Sequence, residues 1–345
     1  MGLHARARRS VAALARRGWL GPPDSLLQTA ARAVDRSLTS WRSPIGRVAQ
    51  VWDGLASDAF VRDLQRRSWT GLTATHLNHN YLMTGSRDCY WVDWLRDQYF
   101  AGHGPLDVLS LGCGSGHFDR ILGQHAYAIR SITGLDISPA AIARAQQLAD
   151  STQLAPSVWY QTVDLNHYEP GSRQYDFIYF FQSLHHIAAL ERLLDHCRRA
   201  LRPGGRFLVN EFVGPSRFQW TPRQMDLANE QLATLPPELR RDVVSRRVKT
   251  SVHRPTVGDM MATDPSEAVR SAEIEPLVKA RFSVVGEWNW GGTLNNLIFQ
   301  EIAGNFDEAD STHRDHVDRL IEHENTLIRD GVIPSDFKVF LLSSS

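Results

Sequence analysis

The spacing of apolar positions changes twice along the chain. Up to residue 104 the large side chains Trp52, Phe60, Trp69, Tyr81, Tyr90, Trp91, Trp94, Tyr99 and Phe100 recur at loosely helical intervals and predict packed helices. From Leu106 short apolar runs alternate with amphipathic stretches. Residues 106–111, 131–137, 158–163, 175–181 and 206–213 read as strands, and 115–124, 139–151 and 187–201 as helices. The run 175–181 is almost wholly apolar, as a strand buried on both faces should be. Ser138 and Pro139 open one helix as N-cap and first residue, and Arg202-Pro-Gly-Gly205 stops another. Such alternation implies a parallel sheet with helices on both faces. Residues 214–265 break the rhythm with six prolines and a polar helical piece at 224–235. Helices at 266–280, 293–303 and 316–329 and strands at 282–288 and 337–342 follow.

This pattern divides the chain into an N-terminal helical arm and cap (1–104), an α/β core (105–213), a lid-like insertion over the carboxyl edge of the sheet (214–265) and a segment completing the sheet (266–345). Residues 1–50 hold nine arginines against Asp24 and Asp35. A solvated helical arm accounts for them, and a membrane-surface or nucleic-acid contact is the alternative. The formal net charge of zero points to no polyanionic partner. Three cysteines without CxxC spacing argue against a disulfide framework or a zinc site and fit a reducing cytoplasm. No stretch approaches the 18 or so apolar residues of a membrane span, and arginines interrupt the N-terminus where a signal peptide would be continuous.

The chemistry concentrates at strand ends. Gly112, Gly114 and Gly116, with Cys113 between them, form a turn that lets a backbone approach a ligand. A dinucleotide fingerprint would need glycine where His117 stands, so the turn suits a nucleoside with an amino-acid tail better than a pyrophosphate. Asp136 closes the second strand, where a carboxylate accepts ribose hydroxyls or caps the next helix. Asp164 closes the third, placed to accept from an adenine amino group, with Leu165 against the ring, or to shape a turn.

Leu109–Gly116, Gly134-Leu-Asp-Ile-Ser138, Val163-Asp-Leu165, Tyr175-Asp-Phe-Ile178, Ser183-Leu-His-His-Ile187 and Leu201-Arg-Pro-Gly-Gly205 together resemble class I S-adenosylmethionine (SAM)-dependent methyltransferases. Asn210–Trp220, Asp264–Glu273 and Gly291–Phe306 resemble a narrower group of bacterial methyltransferases, often encoded beside glycosyltransferases or natural-product enzymes. The resemblance implies a Rossmann-like doubly wound seven-stranded sheet. It implies a SAM site built from Gly112, Cys113, Gly114, Gly116, Asp136, Ile137, Asp164, Leu165 and Gln182. Ser110 departs from the family pattern, which often places an acid there, so the cofactor's amino group must be anchored otherwise.

The implied reaction is transfer of a methyl group to a small acceptor, with a hydroxyl of a sugar, glycoside or natural product favoured. A hydroxyl must lose its proton, a task suited to histidine. His186 is the favoured base and His185 the runner-up, with Glu211 orienting the base or binding the acceptor. Arg217, Gln219, Trp220 and Arg254 in the insertion, and His76 and Tyr81 in the cap, are candidate acceptor contacts. Glu267, Arg270 and Glu273 read as salt bridges or as recognition of a charged acceptor. No metal site is evident, since His313, His316 and His323 lie on a polar helix. A homodimer is compatible with the chain. Nitrogen or carbon acceptors remain open. Nucleic-acid methylation, a nicotinamide oxidoreductase and a SAM-binding scaffold are the remaining readings.

Overall fold

The computed structural model describes residues 48–49, 51–53, 58–125, 127–152 and 158–344. Nearly all of the arginine-rich start lies outside these residues. Three helices, α1 (Asp58–Arg67), α2 (Thr73–Thr84) and α3 (Trp91–Tyr99), precede the sheet. The core then runs β1 (Leu106–Leu111), α4 (His117–Gln124), β2 (Ile129–Asp136), α5 (Pro139–Thr152), β3 (Val158–Thr162), β4 (Tyr175–Phe181), α6 (Leu190–Ala200) and β5 (Leu201–Phe212). It continues through α7 (Pro222–Ala233), α8 (Val257–Thr263), α9 (Ser271–Arg281), β6 (Ser283–Gly291), α10 (Asn295–Phe299), α11 (Ser311–Arg329) and β7 (Phe337–Ser343).

One seven-stranded sheet has the order β3-β2-β1-β4-β5-β7-β6. The first five strands are parallel, and β7 lies antiparallel between β5 and β6. Chain order reverses between β1 and β4. Their carboxyl ends therefore diverge into a crevice, the place where open α/β sheets bind ligands. Strand β4 is buried on both sides as its composition requires. Ile178 and Phe180 join a core under α6 and α9, while Phe177 and Tyr179 join the opposite core under α3 and α4. A third core unites Trp69 and Leu72 with Trp220 and Leu227 of the proline-rich segment and with α10 and α11.

Several predicted helices are shorter than their apolar spacing suggests, each for a local reason. The helix expected at 187–201 starts at Leu190, because the Asn166 side-chain oxygen accepts the Ala188 and Ala189 N–H groups and caps it. The helix expected at 266–280 starts at Ser271. Asp264 captures the Ser266 N–H and hydroxyl, a local alternative to helical bonding, and Ala268 sits at φ 46°. The helix expected at 293–303 ends at Phe299, and Glu301 turns out at φ 65°. Residues 202–205 bulge from β5 between the Tyr175–Leu201 and Phe177–Arg206 pairs.

Asp336, just before β7, is nearly fully buried; one oxygen accepts the Trp220 indole N–H at 2.9 Å and the other has no hydrogen-bond partner. Burial raises its pKa to about 7. Between pH 4 and 7 the unfolded state therefore releases this proton while the folded state keeps it, so stability falls across that window and levels off above it. Asp336→Asn, which preserves an acceptor for Trp220, is expected to gain about 4 kcal/mol over the parent at pH 8 and little at pH 4. Urea unfolding of both proteins at the two pH values measures the difference.

Candidate active site

A cavity of about 540 Å³ opens at the carboxyl ends of β1 and β4. Its floor is the turn after β1. Gly112 (φ 63°) lies against Ser183, whose Oγ would be 2.5 Å from an added Cβ, and a Cβ on Gly116 (φ 68°) would meet the Tyr160 hydroxyl at 2.5 Å. Asp136 locks the turn by accepting the Gly114 N–H on one oxygen and the Ser138 N–H on the other, both at 2.9 Å. Burial raises its pKa, though both amides favour the charged form. Asp164 spends one oxygen on the Asn166 backbone and side-chain N–H groups. Its Oδ2 is buried without a hydrogen bond, with the His167 ring 3.7 Å away. Ile137, Leu165, Gln182 (φ 55°) and Ser183 complete this side of the wall.

A third acid faces the same cavity. Asp119 of α4 is buried beside Ser110 and accepts hydrogen bonds from the Tyr179 and Tyr160 hydroxyls, the latter at 2.8 Å. Asp119, Ser110 and Tyr179 all line the cavity. Burial raises the Asp119 pKa, against the three hydroxyl contacts. The departure at Ser110 signals in the sequence that an anchor comes from backbone or other side chains, without pointing to Asp119.

The His185–His186 pair lies in a short turn after β4. Glu211 organises that turn from β5. It is fully buried, and its carboxylate accepts the Ser183, Leu184 and Phe212 N–H groups and bonds His185 Nδ1. Burial opposes charge on His185, but the Glu211 and Glu267 carboxylates overcome it and push the pKa up to about 10. Neither Glu211 nor His185 is part of the cavity wall; His186 is. His186 Nδ1 lies 3.1 Å from Ser266 Oγ, and that hydroxyl donates to Asp264 at 2.6 Å, so Nδ1 carries the proton and Nε2 is left as the acceptor. Burial and the neighbouring His185 lower the His186 pKa, favouring the neutral ring. Trp52 presses on this ring at 4.9 Å and lines the cavity with Val48 and Leu64. Asp53 anchors that N-terminal segment by accepting from the Ser138 hydroxyl at 2.6 Å and the Ala140 N–H.

Removing the Glu211 carboxylate would orphan three backbone donors and a charged imidazole. Glu211→Ala is expected to cost about 3–5 kcal/mol of stability, read as a lower denaturant midpoint.

Residues 109–207 match the family described as methyltransferase domain. That match places a methyltransferase domain on the stretch from β1 to β5. The ubiquinone biosynthesis O-methyltransferase of Coxiella burnetii is 29% identical over 103 residues, 30% of this chain and 42% of that protein. The 27-O-demethylrifamycin SV methyltransferase of Amycolatopsis mediterranei is 26% identical over 164 residues, 46% of this chain and 58% of its own. The sterol 24-C-methyltransferase of Yarrowia lipolytica is 22% identical over 196 residues, 56% of this chain and 48% of its own. The chain spans about half the length of these relatives.

Around the methyltransferase domain, the structure brings together most of the expected cofactor set: Gly112, Cys113, Gly114, Asp136, Ile137, Asp164, Leu165 and Gln182. Gly116 stands behind the wall as the left-handed residue that starts α4. The expected acceptor contacts are placed elsewhere. Arg217 donates to the Pro265 and Glu267 carbonyls, Gln219 to the Arg217 and Pro255 carbonyls, and Arg254 to the Trp220 carbonyl, so all three brace loops. Trp220 is buried, stacked on Phe218. His76 bonds the Thr70 carbonyl, and Tyr81 is exposed on α2 outside the wall. Arg270 pairs with Glu191 and Glu273. Of residues 214–265 only Pro265 reaches the wall, because the proline-rich segment packs into the third core. Trp52, Asp119 and Ser266 are the wall residues that sequence reasoning missed. Among the described residues no helix is long and apolar enough to cross a membrane.

Proposed function

We propose that the protein transfers a methyl group from SAM to a hydroxyl of a small molecule. The observation that carries this reading is the single cavity that holds Asp136, the unpaired Asp164 Oδ2 and the neutral face of His186 together. Asp136 keeps lone pairs for the ribose hydroxyls, since a carboxylate offers about four acceptor sites and the two amides take only two. Asp164 Oδ2 suits the adenine amino group, and Leu165 and Ile137 supply apolar surface for the ring. Asp119 suits the positively charged amino group of the methionine tail. Bound in this way, SAM supplies a methyl on a cationic sulfur that reacts with a correctly aligned nucleophile.

The protein's part is alignment and removal of one proton. His186 Nε2 takes the proton of the acceptor hydroxyl while Ser266 and Asp264 hold its other nitrogen. As the oxygen–methyl bond forms the sulfur–methyl bond breaks, so S-adenosylhomocysteine leaves with neutral sulfur and His186 holds the proton until water removes it. Trp52 and Phe181 offer apolar faces against which an acceptor ring would pack. The names of the Coxiella and Amycolatopsis relatives support an oxygen acceptor, and a sugar or natural product remains the favoured class. The Yarrowia relative and the aromatic wall support carbon as the second reading. Incubation of the pure protein with methyl-¹³C SAM and a panel of hydroxylated small molecules tests both. A labelled methoxy carbon in the product supports the first reading, and a labelled C-methyl replaces it with the second.

A further inference from the structure

We propose that His185, His186 and Glu267 hold a divalent metal ion at the edge of the cavity, behind the wall to which His186 alone of the three belongs. The expectation of no metal rested on histidines near one another in sequence; the fold instead joins the turn after β4 to the loop before α9. Each of the three residues offers a ligand atom, and these atoms all lie within 4.8 Å of one another. His185 Nε2 is 3.4 Å from Glu267 Oε1, and His186 Nε2 is 3.9 Å from Glu267 Oε2. These separations are long for hydrogen bonds. They approach the roughly 3.0–3.4 Å between two atoms that each bind one ion at about 2.1 Å.

The supporting partners follow the pattern of ligated histidines, whose second ring nitrogen is fixed by a carboxylate, carbonyl or hydroxyl. Glu211 holds His185 Nδ1, and Ser266 backed by Asp264 holds His186 Nδ1. Both Nε2 atoms are thereby turned toward Glu267. Charge points the same way. Glu211, Glu267 and Asp264 crowd two imidazoles, while nearby Arg217 spends its guanidinium on the Pro265 and Glu267 carbonyls. A cation would supply the missing positive charge, taking the place of the Nε2 proton on His185. The loop is held stiffly enough for the purpose: Arg217 (φ 56°) and Ala268 (φ 46°) keep a left-handed backbone without being glycine, and Arg217 N–H bonds the Ala268 carbonyl at 2.7 Å. The Glu267 side chain retains 25% exposure, so an ion can enter.

Two imidazoles and one carboxylate, with no thiolate, suit zinc, manganese or ferrous iron better than magnesium or calcium. His186 and Ser266 belong to the cavity wall, so an ion here would touch an acceptor hydroxyl, lower its pKa and let the proton leave to water. In that state His186 Nε2 holds the ion instead of taking the proton. This role rests on the methyl-transfer reading; the binding site does not.

The test uses the full chain stripped with a chelator and titrated with Mn²⁺, following loss of the free-ion electron paramagnetic resonance signal, and with Zn²⁺ in competition with a colorimetric chelator. We expect one ion per chain, bound at least tenfold more weakly by Glu267→Gln and several-fold more weakly by Ser266→Ala, with both variants showing the parent's circular dichroism. No binding of either ion at millimolar concentration, or binding unchanged in both variants, overturns the site. Protein that binds the ion but not SAM would keep this inference and reject the proposed reaction; the converse result would do the opposite.

Discussion

His186→Ala should retain SAM binding within about twofold and lose roughly 10²–10⁴-fold in turnover. The cofactor half of the cavity is built by the glycine turn, Asp136 and Asp164, and the hydrogen bonds that hold Asp136 and Asp164 do not involve the His186 ring. The acceptor half does depend on it, whether Nε2 takes the proton directly or holds an ion that does the work. His185 makes the control informative. Its Nδ1 is bonded to buried Glu211, and it lies outside the cavity wall. His185→Ala should therefore lower the unfolding midpoint as well as the rate, and by more than His186→Ala, because only His185 is tied to the buried Glu211 carboxylate. Calorimetry for SAM, a coupled assay for S-adenosylhomocysteine and a thermal melt separate the two. Full turnover in His186→Ala would remove this residue from the chemistry.

The other large effect is expected at Asp136. Its carboxylate ties the Gly114 and Ser138 N–H groups and remains available to a ligand's hydroxyls. Asp136→Ala would lose charge-assisted hydrogen bonds to the ligand, each worth about 1.5–3 kcal/mol, and release the turn that cradles it. SAM affinity should fall by about 100-fold or more. Asp164→Ala removes one acceptor from the far end of the site and should cost about tenfold. Equal losses at the two positions would mean that Asp136 does not hold the sugar.

What the sequence made legible follows from what spacing encodes. The strand end carrying Asp136 is marked by an apolar run that stops abruptly, Asp164 follows two residues after β3, and the glycines between Leu111 and His117 mark the turn. The fold adds little to those assignments beyond distance. Burial and long-range pairing are not encoded in spacing, and the misplaced residues are those whose meaning depends on them. Glu211 looks like a strand-end acid and proves to be the fully buried clasp of the neighbouring turn. Trp220 looks like an exposed ring platform and proves to be a core residue bonded to Asp336. Glu267 looks like a helical salt-bridge partner because the Asp264-Pro-Ser stretch resembles a helix start. The Asp264–Ser266 bonds instead delay the helix and leave Glu267 facing two histidines. Asp119 is hidden because its tyrosine partners come from β3 and β4.

Isothermal titration of the pure protein with S-adenosylhomocysteine and SAM, compared with NADH and with the Asp136→Ala variant, bears most directly on the cofactor site. One site per chain at micromolar affinity for the two sulfur nucleosides, no heat with NADH and a large loss in the variant are the results predicted. Absence of heat with either sulfur nucleoside, or equal affinity in the variant, would contradict the assignment of the cavity at the ends of β1 and β4.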